Sequence, residues 1–202
     1  MNKEEFQNLL SSSSNYGDLL IDLKKAKDKL YRVKRRLKTI EKNHLFLYKI
    51  VSINGDGNNL EKSLKSFFRA CGFNNVKWNG KGDHHDLTLC YGDSIIIIEA
   101  SGTKSEQLKS NHVVKTVKYV SNYQTKNNKF GLTILNHDNK KAFNKRSENP
   151  FINKEEVKFA ITSKITMVST VQLLKGYLAL KSGKLTLDDF FKILTSGKIV
   201  TF

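Results

Sequence analysis

Apolar residues recur at alternating steps of four and three along the segment from residue 18 to residue 50. This spacing keeps them on one face of an α-helix and is the heptad repeat of a coiled-coil seam. No glycine or proline interrupts the segment, which therefore predicts one long helix over residues 18–50. The apolar positions are Leu19, Leu23, Ala26, Leu30, Val33, Leu37, Ile40 and Leu47.

Two interpretations of this stripe are open. It packs either on the rest of its own chain or on a second chain, in parallel or antiparallel. We expect a homodimer through residues 18–47, because heptad spacing this strict exceeds what one-sided packing needs. The other faces are rich in lysine and arginine, and they form a solvated surface or lie along phosphates. Residues 1–17 are expected to be a flexible arm or a short helix, since the serines at 11–14 and Gly17 break any longer pattern.

The pattern changes after a loop rich in Gly, Asn and Asp at residues 52–59, where we place a domain boundary. Gly72 is expected to end the first helix of the second domain, and capping boxes at Asn153 and Thr186 to begin two later helices. Strands alternating with helices predict an α/β fold for residues 59–202, a mixed central sheet flanked by helices. The predicted strands are 76–78, 86–91, 94–99, 130–136 and 165–169, and the predicted helices include 60–71, 105–122, 153–161 and 171–180.

Composition narrows the class of protein. The 202 residues are 39% hydrophobic and 27% charged, which is typical of a globular chain with a core. No apolar run is long enough to span a membrane, and the N-terminus does not resemble a secretory signal. Cys71 and Cys90 are expected to be buried free thiols of a cytoplasmic protein. The formal net charge of +16 favours a polyanionic partner, foremost nucleic acid, although an A/T-rich genome also enriches lysine and asparagine.

The candidate chemistry lies in the predicted hairpin of residues 86–99. Asp86 opens its first strand and Glu99 ends its second, so that the hairpin brings the two carboxylates together at the edge of the sheet. Mg²⁺ or Mn²⁺ takes such oxygen ligands together with water and phosphate. A structural role is the alternative, with Asp86 as a turn residue and Glu99 as a cap or an ion-pair partner.

The order of elements from residue 59 to residue 202 resembles the restriction-endonuclease-like nucleases, the PD-(D/E)xK superfamily. The resemblance rests on the segments LEKSLKSFFRACGF, DLTLCYGDSIIIIEASG and FGLTILNHDN. It implies that Asp86 and Glu99 bind a catalytic metal ion, joined by Glu61 on the first helix. It also implies a metal-dependent nuclease that hydrolyses phosphodiester bonds in DNA, in bacterial or mobile-element defence.

One position departs from this pattern. Ser101 stands where the family has a catalytic lysine, two residues after the acid, and serine carries no positive charge. Lys104 is the nearest replacement in sequence, and Lys115 and Lys118 follow on the next helix. If none of them reaches the site, the domain binds nucleic acid without cutting it. A third hypothesis is a coiled-coil adaptor whose α/β domain is a scaffold.

Basic and histidine residues near the hairpin are expected to contact nucleic acid, DNA in preference to RNA. Trp78 either packs in the core or stacks on a base. His84 and His85 beside Asp86 suggest a transition-metal site, but no second His or Cys cluster supports one. His112 and His137 are expected at the surface. The residues expected to contact nucleic acid are Lys77, Lys81, His84, His85, Lys104, Lys109, Lys140, Lys141, Lys145 and Arg146.

Overall fold

The long basic helix, α1, spans Ser14–Ser52 without interruption in the computed structural model. The structure describes residues 2–5, 8, 14–52, 57–80, 84–103, 111–148, 150–151 and 153–202. The helix confirms the prediction for residues 18–50 but begins earlier, so that Gly17 lies within it. Within the part of the chain that the structure describes, none of the helices has the apolar length that a membrane span requires.

The chain forms two compact units, Met1–Leu45 and Phe46–Phe202. The second unit therefore begins within α1 and not in the loop at residues 52–59, part of which lies outside the described residues. The reason is packing: Ile50 and Val51 are buried in the core of the second unit, and Phe46 and Leu47 pack against that core.

The second unit holds a five-stranded mixed sheet in the order β1-β2-β3-β4-β5. The first three strands pair antiparallel, and β3, β4 and β5 pair parallel. This confirms the predicted mixed sheet. The strands are β1 (Asn75–Trp78), β2 (Leu87–Tyr91), β3 (Ser94–Gly102), β4 (Asn128–Asn136) and β5 (Ile165–Ser169).

Helices cover both faces of this sheet, each over its own apolar cluster. One cluster joins Phe67 and Phe190 to Ile96 and Ile98, and the other joins Val113 and Ala160 to strand residues of the opposite face. Side chains alternate between faces along a strand, so neighbouring residues of β4 and β5 enter different clusters. The helices are α2 (Gly57–Cys71), α3 (Asn111–Asn122), α4 (Lys154–Thr162), α5 (Thr170–Lys181) and α6 (Leu187–Leu194), with a 3-10 turn at Phe143–Lys145.

Local signals place most of the ends of these helices. Gly72 follows α2 with φ +117°, in the region that favours glycine. The Thr186–Asp189 capping box is complete, whereas Asn153 caps α4 without a reciprocal bond from Glu156. The predicted helix 105–122 is α3 from Asn111 onward, and residues 104–110 lie outside the described residues.

Close contacts hold α3 on the sheet. Its Thr116 is fully buried, and the Thr116 and Thr133 hydroxyls lie 2.8 Å apart in a hydrogen bond to β4. A Cβ built on Gly131 of β4 would lie 3.1 Å from Thr116 Cγ2 and 2.3 Å from Ile165 Cδ1. The absence of a side chain at residue 131 thus lets α3 approach the sheet, and α3 carries the cation of the site described next.

Candidate active site

The β2–β3 hairpin brings Asp86 and Glu99 together. A turn at Gly92 and Asp93 sets the register, pairing Tyr91 with Ser94 and Leu87 with Ile98. The Asp86 backbone N–H continues the ladder by donating to the Ile98 carbonyl at 3.1 Å. Asp86 therefore lies opposite the strand segment that carries Glu99.

Backbone and side-chain contacts hold the carboxylates in place. The Ala100 backbone N–H donates to Asp86 Oδ2 at 2.7 Å. Glu61 of α2 is buried beside Asp86, and its Oε2 accepts a hydrogen bond from Trp78 Nε1 at 2.5 Å. The indole of Trp78, which the sequence left between core packing and base stacking, thus orients a third acid.

The acids are crowded into a partly dehydrated place. Burial, followed by the charge of Glu99, raises the pKa of Asp86 to about 8, against the opposing hydrogen bond from Ala100. Burial raises the pKa of Glu99 to about 7, although the Lys115 charge opposes the rise and Glu61 adds to it. Such a cluster takes up positive charge readily, either as protons or as a cation.

The donor set fits a hard divalent cation better than zinc. Carboxylate oxygens suit Mg²⁺ or Mn²⁺, which complete their coordination with water and phosphate. The described residues contain no group of three or more His, Cys, Asp or Glu side chains placed to hold a metal ion by themselves. His85 is not available as a zinc ligand on this side, because its Nε2 is in a 2.7 Å hydrogen bond with Thr88 Oγ1.

A lysine from α3 stands beside the acids. Lys115 Nζ lies 3.9 Å from Glu99 Oε1, and the lysine side chain is about half exposed. Ser101, in the position of the motif lysine, is in a 3.0 Å hydrogen bond with His112 Nε2. His112 is half-buried rather than at the surface. Lys104 lies outside the described residues.

A groove of about 510 Å³ opens along the same edge of the sheet, between β1, β2 and α3. Lys77, His84, His85 and Lys118 line it, so three residues of the predicted nucleic-acid surface meet there. Its aromatic wall, Tyr119 and Tyr123, was not predicted. Their spacing of four residues, at the end of the predicted helix that carries Lys115, is the signal that could have found them.

Other predicted contact residues lie elsewhere. Lys140, Lys141 and Lys145 are exposed in the segment after β4, where Lys141 pairs with Asp138 at 3.3 Å. Lys81 and Lys109 lie outside the described residues.

Arg146 has a different place from the one expected, because its guanidinium is buried. It donates to Asn136 Oδ1 at 2.9 Å and to the Asn139 and Lys141 carbonyls. Its contacts order the segment after β4 instead of facing a phosphate. The prediction of a surface His137 was wrong: the ring is fully buried and its Nε2 hydrogen-bonds the Ser147 carbonyl at 2.7 Å.

Solved structures share this architecture. The structure of restriction endonuclease FokI aligns with 75% of this chain and 30% of its own at 17% identity and TM-score 0.55. The structure of FokI bound to DNA aligns with 77% of this chain and 30% of its own chain, at 16% identity and TM-score 0.56. The small subunit of the heterodimeric restriction endonuclease R.BspD6I aligns with 76% and 86% at 15% identity and TM-score 0.52.

The chain thus has the restriction-endonuclease-like fold. At these identities the likeness shows the fold alone, and the chain spans about 30% of the FokI chains it matches. No protein-family model and no curated protein matches the sequence.

Proposed function

We propose that this protein is a metal-dependent nuclease that hydrolyses phosphodiester bonds in DNA with Mg²⁺ or Mn²⁺. The observation that carries the proposal is the meeting of Asp86, Glu99 and Lys115 close to a basic groove, which is lined by His85 and Lys118. One structure with this fold is described as restriction endonuclease FokI bound to DNA, which supports DNA as the substrate.

Asp86 and Glu99 would hold the metal ion, and Glu61, buried beside Asp86, would add a third negative charge to the site. A divalent ion in such a site polarises the scissile phosphate and lowers the pKa of an attacking water. The Ala100 N–H keeps Asp86 aimed at the site. Lys115 supplies the positive charge that Ser101 does not, and it offsets charge that develops on the phosphate.

The second candidate function is a nuclease-fold module that binds nucleic acid without cutting it. The observation that favours it is Ser101, whose hydroxyl is engaged with His112. In that case the Lys115 ammonium, 3.9 Å from Glu99, serves only to neutralise the carboxylates.

A cleavage assay separates the two functions. With Mg²⁺ or Mn²⁺ we expect the protein to nick or linearise plasmid DNA, and EDTA to stop it. Glu99→Gln should lower the rate by about 10³-fold or more, because the metal loses a charged ligand. Glu148→Gln is the matched control, since Glu148 is an exposed acid paired with Lys175. If wild type and Glu99→Gln both leave plasmid and single-stranded DNA uncut while binding them in a salt-dependent way, the second function is correct.

We also propose that two copies pair through residues 18–47. Apolar side chains of the stripe are left exposed by the single chain, among them Leu19 (67%), Leu30 (53%) and Leu37 (54%). A helix face this regular and this apolar is stabilised by burial against an equivalent face. A second copy of the chain has the same apolar face, because it has the same sequence.

Sedimentation equilibrium of the full chain tests the pairing. We expect a dimer for the wild type and a monomer for Leu30→Asn/Leu37→Asn, because polar groups would enter the seam. The matched control is Ile21→Asn, which replaces an equally exposed apolar residue of the same helix outside the heptad positions. A wild type that stays monomeric at tens of micromolar would contradict the proposal.

We propose that the protein acts in the cytoplasm, in bacterial or mobile-element defence against foreign DNA. The free thiols of Cys71 and Cys90 suit a reducing compartment.

A further inference from the structure

The groove beside the carboxylates has one aromatic wall. Tyr119 lies in the last turn of α3 and Tyr123 directly follows the helix, and the His85 ring packs against both with centroid distances of 6.1 and 5.4 Å. The tyrosines are half-buried, with part of each side chain facing the groove. A wall of this kind offers flat, polarisable surface to a ligand.

Hydrogen bonds fix the His85 ring that packs against this wall. His85 Nε2 is 2.7 Å from Thr88 Oγ1, and the Asn79 side-chain amide donates to Thr88 Oγ1 at 3.3 Å and to the His85 carbonyl at 3.0 Å. The His85 ring, fixed in this way, extends the aromatic surface of the two tyrosines.

Two lysines line the groove. Lys77 comes from β1 and Lys118 from α3, and both are exposed. Their ammonium groups suit backbone phosphates, whereas the aromatic wall suits an uncharged group. This division suits a nucleotide, whose phosphates are anionic and whose base has an apolar face.

The groove and the carboxylates share one edge of the sheet. His85 directly precedes Asp86, and Lys118 follows Lys115 by one helical turn. Trp78 lines the groove and also holds Glu61 through its indole N–H. A strand with a phosphate at the carboxylates therefore reaches the groove with its adjoining nucleotide.

We propose that this groove holds one unpaired nucleobase next to the scissile phosphate, so that the substrate class is single-stranded or locally unpaired nucleic acid. The inference rests on the proposed nuclease function. The groove, with a volume of about 510 Å³, admits a base with its sugar. A base in a duplex must first leave the stack, whereas an unpaired base enters without that cost.

Oligonucleotide cleavage tests the substrate class. The substrates are one sequence as a single strand, as a perfect duplex and as a duplex with a short unpaired flap, each as DNA and as RNA. We expect the wild type to cut the single strand and the flap at least about 10-fold faster than the duplex. Equal rates on all three would overturn the proposal.

Aromatic variants test the assignment to this groove. Tyr119→Ala/Tyr123→Ala should weaken binding of single-stranded DNA about 10-fold or more and remove the preference for unpaired substrates, while Tyr119→Phe/Tyr123→Phe keeps both. Tyr48→Ala, which removes an exposed tyrosine of α1 outside residues 18–47, is the matched control and should behave as the wild type. Wild-type behaviour of the alanine variant, with its fold intact by circular dichroism, would contradict the assignment.

Binding separates this inference from the proposed function. Fluorescence anisotropy with a labelled oligonucleotide in EDTA reports on the groove without cleavage. If the protein never cuts DNA but the alanine variant loses single-strand binding, the groove assignment is correct and the proposed nuclease function is wrong. If the protein cuts every substrate equally, the nuclease function is correct and the groove assignment is wrong.

Discussion

Asp86→Asn should stabilise the metal-free protein at pH 8 and, under the proposed function, abolish its DNA cleavage. The reason is the environment of the carboxyl, where burial and the charge of Glu99 raise the pKa of Asp86 from 3.8 to about 8. Between these two values the folded state holds a proton that the unfolded state has released. Stability therefore falls as the pH rises from about 4 through about 8, and asparagine removes this loss.

Urea unfolding in EDTA at pH 5 and pH 8 measures the effect. We expect the wild type to lose about 1–3 kcal/mol of unfolding free energy at this site between the two pH values, a range reduced for partial exposure to solvent. Asp86→Asn should show a flatter pH profile, and added Mg²⁺ should stabilise only the wild type.

Asp22→Asn is the control, because Asp22 is an exposed acid on α1 paired with Lys25. Its pH profile should follow that of the wild type. If the Asp86→Asn profile also runs parallel to that of the wild type, the folded state does not raise the pKa of Asp86. The crowding of carboxylates that favours a bound cation is then absent.

Lys115→Ala should lower the rate of cleavage by about 10²–10³-fold with little change in DNA affinity. Among the residues that the structure describes, Lys115 is the lysine that forms an ion pair with Glu99, and it comes from α3 rather than from β3. Under the proposed function Lys115 would offset charge that grows as the phosphate is attacked, so its loss should affect kcat more than KM.

Single-turnover cleavage of one DNA fragment measures this loss. Lys126→Ala is the control, since Lys126 is an exposed lysine that follows α3. Ser101→Lys/Lys115→Ala should recover part of the rate, because residue 101 lies on the same face of β3 as Glu99, two residues further along. Wild-type activity in Lys115→Ala would show that a residue other than Lys115 supplies the positive charge of the site.

The predictable part of the site is local. The turn at Gly92 and Asp93 sets the hairpin register, and the register alone brings Asp86 opposite the Glu99 segment. The apolar runs of β3 to β5 predict the sheet for the same reason, since alternation and β-branching act over a few residues. The heptad spacing likewise predicts α1.

The unpredicted parts depend on packing between distant elements. His137 and Arg146 have polar side chains that the sequence assigns to the surface, yet both are buried because backbone carbonyls of the same segment accept their hydrogen bonds. The second unit begins at Phe46, inside an unbroken helix, because the last turns of α1 pack into its core. No composition change marks that position.

The sequence by itself determined the helix, the mixed sheet and the facing of Asp86 and Glu99, because periodicity and a tight turn are properties of neighbouring residues. Only the tertiary structure decided which lysine stands beside Glu99 and which ring holds Glu61. Lys115 reaches the acid because Gly131 and the Thr116–Thr133 hydrogen bond let α3 dock on the sheet, and Trp78 reaches Glu61 across α2 and β1. These contacts join elements far apart in the chain, and burial of both faces of the sheet, rather than local propensity, brings them together.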